Sequence, residues 1–552
     1  MNPSTAISRV LVDELIRGGV REVVVSPGSR SAALALAFAD AAGDGLVRLH
    51  MQIDERSAAF LALGIAKATG LPVPVVCTSG TAAANFHPAV LEASHTDTPL
   101  IVLTADRPNE LRGTGANQTT NQMNLYGSAV RFFAEVGVPE AQVGQVRYWR
   151  SLVSRALASA ATGPVHLNLA FREPLLPDDQ TDDQPWVESL EGRESGLSWT
   201  TVLTGGATVV RDIEDLGITP DMNGVVLIGH AQGGFTSDDI TTFTSRLGWP
   251  IVAENPLSFA SALAHASLFL ASPAIRSELR ADAVIVIGQL GLSRSLLSYL
   301  ADAPKVIAVE QKSFWSDPLR RTDIVVDSFP EVSDEFAKAS YPDEWLASWH
   351  RHADQTARVI LSEVSPWSEA NLAREFAALL PQGATCFVGS SRPIRDLEAF
   401  AVPRGDLEVL ANRGLAGIDG NISTAIGIAL SRSERTYAIM GDLTFLHDSN
   451  GLLCDPTISL TIVAVDNNGG GIFNTLPQRG VEHFELVFGT PHHRNLADIA
   501  TAFGHSAVEV SNLDEFRAAL SNPSPGVQVI VARMPDREAN ATQIARVLQS
   551  LV

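Results

Sequence analysis

The sequence predicts an α/β protein of three doubly wound parallel-sheet domains, and three observations carry that expectation. Short apolar runs alternate with amphipathic helical stretches along most of the chain, most of those runs stop at Gly, Ser, Thr, Asp or Pro, and one helix-and-strand pattern occurs twice, near the start and near the end. At 552 residues the length suits three or four domains, and 45% hydrophobic with 18% charged content is ordinary for a globular chain. The boundaries are placed at 1–178, 195–345 and 360–552.

In the first domain, strands over 22–25, 47–53, 73–77, 100–103 and 165–169 end in loops rich in polar residues. The loops are Ser26-Pro27-Gly28-Ser29-Arg30, Asp54-Glu55-Arg56, Thr78-Ser79-Gly80-Thr81 and Thr104-Ala105-Asp106-Arg107-Pro108. Ligands of doubly wound sheets gather at the carboxyl ends of strands, so these loops form a candidate rim. The opening stretch reads as an amphipathic helix with a Ser/Thr cap and lacks the apolar core of a signal peptide. Residues 173–196 are acidic and proline-containing and read as a linker. The middle domain has strands over 224–228, 283–287 and 305–309. Its Gly229-His230-Ala231-Gln232-Gly233-Gly234 turn lacks the glycine spacing of a dinucleotide loop and is read as scaffold. A helical, Trp-bearing segment over 340–367 leads into the third domain.

There, apolar runs over 437–440 and 460–465, joined by a helix over 445–453, read as parallel strands with a crossover. The first ends in Gly441-Asp442 and the second in Asp466-Asn467-Asn468 followed by three glycines. A carboxylate, an amide oxygen and a glycine carbonyl are hard ligands suited to Mg²⁺, and the glycines admit a diphosphate close to backbone. The repeat pairs Ile53-Asp54, Leu63-Gly64-Ile65-Ala66 and Gly80 with Ile418-Asp419, Ile426-Gly427-Ile428-Ala429 and Gly441. Glu55 lies where a strand meets an apolar helix, surroundings expected to raise a carboxyl pKa, although favourable charge at a helix N-terminus is an equally natural role for it.

A GD pair followed about 25 residues on by an Asn-Asn-type pair resembles the signature of the thiamine-diphosphate enzymes. That resemblance implies Mg²⁺ or Mn²⁺ on Asp442, Asn467 and Gly469, with Gly441 and Leu443 beside the cofactor and Glu55 as the acid that activates it. It also implies sites shared between subunits, hence a homodimer or a dimer of dimers. Leu443, where many relatives have glycine, and Asp466, in the first slot of the pair, depart from the pattern.

The loops PGSR, TADRP, GTGANQT, GSSRPIRD, ANRGLAGIDG, GDLTFLHDSNGL and DNNGGGIF together resemble the 2-succinyl-5-enolpyruvyl-6-hydroxy-3-cyclohexene-1-carboxylate synthases. This implies decarboxylation of 2-oxoglutarate and addition of the succinyl carbanion to isochorismate in menaquinone biosynthesis. Ser391 and Arg395 would hold the succinyl carboxylate. Ser29, Arg30, Arg107, Asn117 and Gln118, with Arg294 and Arg413, would orient isochorismate. Ile418 would prop the cofactor, and Ile472, Phe473 and Leu476 would wall it, plain core packing being the other reading of these four. His447, His492 and His493 are read as structural. An acetolactate-type synthase or other thiamine-diphosphate carboligase is the alternative, and a regulatory binding protein on the same fold a remote third.

A net charge of −22 opposes binding to nucleic acid or anionic membrane, so arginines gathered at a rim stand out as a pocket for carboxylates. Three scattered cysteines exclude a disulfide framework and fit a cytoplasmic enzyme. No apolar run reaches the length of a membrane span.

Overall fold

The computed structural model describes residues 1–177, 186–202, 210–311, 315–338 and 343–551. The strands of the first sheet are β1 (Glu22–Val25), β2 (Arg48–Met51), β3 (Val73–Cys77), β4 (Leu100–Asp106), β5 (Phe132–Val136) and β6 (Val165–Ala170), in the order β2-β1-β3-β4-β6-β5. The second holds β7 (Gly224–Ile228), β8 (Ile251–Ala253), β9 (Ala283–Ile287), β10 (Val306–Val309) and β11 (Ile324–Val326), in the order β11-β10-β9-β7-β8. The third holds β12 (Thr385–Val388), β13 (Glu408–Leu410), β14 (Thr436–Gly441), β15 (Leu460–Asp466), β16 (Ser506–Val510) and β17 (Val527–Arg533), in the order β13-β12-β14-β15-β17-β16. Parallel pairing runs through all three. Central strands such as β4 are buried along their whole length, as parallel strands covered on both faces must be.

The first and third sheets share one strand order, so the repeat in the sequence is a repeat of topology. In each, the chain reverses direction across the sheet between its first and third strands, and a crevice for ligands opens at such a point. Backbone contacts divide the chain into two compact units. One is Met1–Thr204 with Asn412–Glu434 and Thr444–Leu460; the other is Gly205–Ala411 with Arg435–Leu443 and Thr461–Val552.

Within the first unit, the helix Glu55–Thr69 packs against the helix Asn421–Leu430, its counterpart in the repeat. Each contributes the glycine that the repeat aligns. A Cβ on Gly64 would stand 2.2 Å from the Thr424 carbonyl oxygen, and one on Gly427 the same distance from that of Leu61. Only residues without side chains let the two backbones approach so closely.

Several local expectations are revised. The first helix, Pro3–Arg17, is capped by Asn2, whose side chain accepts the Thr5 N–H. The segment after Gly441 is a short helix, Asp442–His447, followed by a tight turn, Ser449–Leu452; Gly451 at the break presses against Ser423. Strands β5, β8, β11, β12, β13, β16 and β17 add to the sheets read from sequence; β5, β8, β11, β13 and β16 lie at sheet edges, whereas β12 and β17 are interior strands that the reading of the third domain passed over. In the linker, residues 178–185 lie outside the described residues, and Glu188 beyond them accepts the N–H groups of Gly144 and Val146 at the start of the helix Gln145–Ala160. Residues 340–342 of the Trp-bearing segment also lie outside, and the helix Asp343–Glu363 follows. No helix among the described residues is long and apolar enough to cross a membrane.

Candidate active site

In the second unit, β14 and β15 are neighbours, so their carboxyl ends bring Asp442 and Asn467 together. Asp442 is 3% exposed; its Oδ1 accepts the Leu443 N–H at 2.6 Å and its Oδ2 the Gly469 N–H at 2.8 Å. Asn467 donates from Nδ2 to Glu369 at 2.7 Å, while its Oδ1 is buried without a hydrogen-bond partner. An orphaned buried amide oxygen is costly unless something electropositive meets it. Gly469 has φ +138°, and a Cβ there would strike the Gly489 carbonyl, whereas Gly441 faces open space. These donors fit a divalent cation and the diphosphate it would carry. Ile472, Phe473 and Leu476 follow on the turn Gly471–Thr475 and its exit, all half-buried.

His492 is a site residue that the sequence does not betray. Its Nε2 lies 3.2 Å from Asp442 Oδ2 and 3.5 Å from Asp466 Oδ1, so Asp442, Asp466 and His492 form a compact group able to face a metal. The hydrogen bond to Asp442 raises the imidazole pKa. Burial, then the charge of Asp442, raises that of Asp466, which also pairs with Arg533 at 2.5 Å. The only sequence cue was the placement of two histidines after Gly489-Thr490-Pro491, since 50 residues of chain separate His492 from Asp442. His493 binds Asn468 instead, and His447 lies in the first unit beside Arg56.

Also in the second unit, Ser391 precedes the helix Arg392–Phe400 at φ +77°, strained backbone for a side-chain-bearing residue. Arg395, one turn on, donates to the Leu292 carbonyl at 2.5 Å. Burial, then the Arg392 and Arg294 charges, lowers its pKa, which places three guanidiniums in one neighbourhood. Arg294 is the exposed first residue of the helix Arg294–Ala301. The glycine turn 229–234 closes on Gly288–Gln289, and a Cβ on Gly229 would meet the Gln289 carbonyl at 2.1 Å. Its glycines therefore serve close backbone packing.

In the first unit, Glu55 opens the helix Glu55–Thr69, half-buried behind the Asp54 cap. Its charge adds to burial in raising the Cys77 thiol pKa. Arg30 is 9% exposed and donates to the Phe171 carbonyl at 3.1 Å. Arg107 donates to the Ser79 hydroxyl, and its pKa falls through burial and then the Arg30 charge. Two guanidiniums thus share one rim. Ser29, Asn117 and Gln118 are exposed beside it, and Gln118 donates to the Ser79 carbonyl at 3.1 Å. Sequence reading missed Gln122, fully buried, which takes the Gly80 N–H and donates to Ala105 and Asn168, pinning that loop. Arg413 and Ile418 lie half-buried in the loop held by Glu92, which accepts the N–H groups of Gly414 and Leu415.

Known family models match most of the chain. Residues 5–125 match the thiamine pyrophosphate enzyme N-terminal TPP binding domain, 190–388 the middle domain of thiamine pyrophosphate enzymes and 398–529 the C-terminal TPP binding domain. A 2-succinyl-5-enolpyruvyl-6-hydroxy-3-cyclohexene-1-carboxylate synthase of Thermobifida fusca is 46% identical, covering 100% of this chain and 99% of its own. The chain belongs to that synthase family of thiamine-diphosphate enzymes. Synthases of Saccharopolyspora erythraea (44% identical, 97% of this chain and 96% of that one) and Bacillus velezensis (36%, 96% and 94%) are similar along equally long spans. Membership in the synthase family extends through the middle sheet, where the sequence motifs were weakest.

Proposed function

We propose that the protein joins 2-oxoglutarate to isochorismate with loss of CO₂, yielding 2-succinyl-5-enolpyruvyl-6-hydroxy-3-cyclohexene-1-carboxylate in menaquinone biosynthesis. The observation that carries this reading is the set of rim arginines, Arg30 with Arg107 and Arg294 with Arg395, in a chain of net charge −22. Both substrates are dicarboxylates, and guanidinium grips carboxylate in two-point hydrogen bonds. Thiamine diphosphate, when bound, supplies the carbon nucleophile and electron sink that decarboxylation of a 2-oxo acid requires.

The chain's own residues divide the remaining work. Asp442, the Asn467 amide oxygen and the Gly469 carbonyl hold Mg²⁺ or Mn²⁺ on the diphosphate. Gly441, Leu443, Ser391, Ile418, Ile472 and Phe473 enclose the cofactor. Glu55 would be the acid that holds a proton for the cofactor's aminopyrimidine ring. Ser391 and Arg395 hold the distal carboxylate of 2-oxoglutarate, while Ser29, Arg30, Arg107, Asn117, Gln118, Arg294 and Arg413 orient isochorismate. The domains 1–178, 195–345 and 360–552 serve as the aminopyrimidine-binding, central and diphosphate-binding parts of a cytoplasmic homodimer or dimer of dimers.

Mass spectrometry of the product from 2-oxoglutarate, isochorismate, thiamine diphosphate and Mg²⁺ tests the reading. The adduct of isochorismate with a succinyl unit is expected. CO₂ release from pyruvate but not from 2-oxoglutarate would move the assignment to an acetolactate-type synthase.

A further inference from the structure

Glu254 directly follows β8 in the second sheet and is 2% exposed. Its Oε1 accepts the N–H groups of Gly291 at 3.0 Å, Leu292 at 2.6 Å and Ser293 at 3.1 Å. Its Oε2 accepts the His230 N–H at 3.3 Å and meets His230 Nδ1 at 3.1 Å. Burial alone would lift this carboxyl, but the His230 ring and the backbone donors outweigh it and hold the pKa below the usual range. An ionised carboxylate is thus the centre around which the loop after β9 is wound.

Two consequences reach the arginines. The Leu292 carbonyl, whose own peptide N–H binds Glu254, accepts the Arg395 guanidinium at 2.5 Å. Ser293, also held by Glu254, is the N-cap of the helix that Arg294 opens. The charges of Arg392 and Arg294 both repel Arg395, and Arg392 is already paired with Asp396. Guanidiniums crowded in this way keep a fixed geometry only where something holds them.

We propose that Glu254 is a positioning residue for the distal-carboxylate pocket: through the 291–293 loop, and the Leu292 carbonyl that Arg395 binds, it sets Arg395 where the distal carboxylate of a 2-oxo dicarboxylate needs it. This rests on the assignment of Arg395 to that carboxylate. It gives the middle sheet a part in substrate selection as well as in scaffolding.

The test compares E254Q, E254D, R395A and the double variant E254Q/R395A as full-length holoenzymes. Glutamine keeps the shape of Glu254 but turns one acceptor into a donor facing N–H groups, and aspartate keeps the charge on a shorter arm. E254Q is expected to raise KM for 2-oxoglutarate about tenfold and to leave KM for isochorismate and calorimetric thiamine-diphosphate affinity within about twofold. E254D is expected to show the same selective effect at smaller size, which carries the test if E254Q does not fold. In the R395A background E254Q should add little, because both act on one contact. Equal rises in both KM values, full additivity, or no change in E254Q and E254D beside a strong R395A effect would overturn the positioning role alone. An unchanged KM for 2-oxoglutarate in R395A would overturn the pocket assignment and, with it, this inference.

Discussion

Asp442 and Glu55 are both carboxylates placed just beyond a parallel strand, and their neighbours fit them for different work. Asp442 is tied by two backbone N–H groups beside an unpartnered amide oxygen, as an anchor for a cation requires. Glu55 caps nothing and opens an apolar helix. Glu55→Gln should therefore keep thiamine diphosphate affinity within a few-fold by calorimetry while kcat falls by roughly a hundredfold or more; near-normal turnover would remove its assignment. Glu398 offers a pH test. Burial, with the Glu254 charge adding to it, pushes its carboxyl up to about 8 against the Ser267 hydroxyl and the Arg395 charge. The folded chain then keeps a proton that the unfolded chain releases near 4.5, so stability falls as pH rises across that window. Glu398→Gln, which mimics the protonated form, should match the parent near pH 5 and exceed it by on the order of 2 kcal/mol at pH 8. Unfolding midpoints measured across this range check the sign; a gap that narrows with pH would contradict it. At this scale Asp442, Asn467 and the arginines were legible because loops at strand ends name their residues. His492, Gln122 and Glu254 were not, because they arrive by tertiary folding from distant segments with no spacing rule.

The pair of crossing helices shows what sequence can say about elements. Matching Gly64 with Gly427 exposed a repeat, and the shared strand order of the first and third sheets bears it out. That these two glycines would press on each other's helices was hidden, since periodicity marks a buried face but not its partner. Gly427→Val should cost about 2 kcal/mol or more, because its side chain would displace the backbone of Leu61 to Ile65. A lowered unfolding midpoint with folded secondary structure retained by circular dichroism is the expected outcome; an unchanged midpoint would mean that the helices can separate at little cost. Interior strands such as β3, β7, β9, β14 and β15 were read nearly to their ends, but β12 and β17, also interior, were passed over. Edge strands such as β5 were missed because one of their faces meets water and the apolar run breaks up.

For the whole molecule, an acidic surface around arginine-lined rims suits small anionic substrates and opposes polyanions. Fold class followed from alternation and repeat, while the reaction followed from motifs in seven loops, since a fold alone does not name its chemistry. The division into units, in which 412–434 and 444–460 join the first, could not be read from sequence because it depends on which helices pack together. On this reading, retention of the diphosphate depends on a cation at the ends of β14 and β15. Calorimetric titration of thiamine diphosphate into parent and Asp442→Asn protein, with Mg²⁺ and then with EDTA, measures this directly. The parent should bind only with the metal, and the variant should bind at least about tenfold more weakly than the parent in Mg²⁺. Equal, metal-independent binding by both would contradict the assignment.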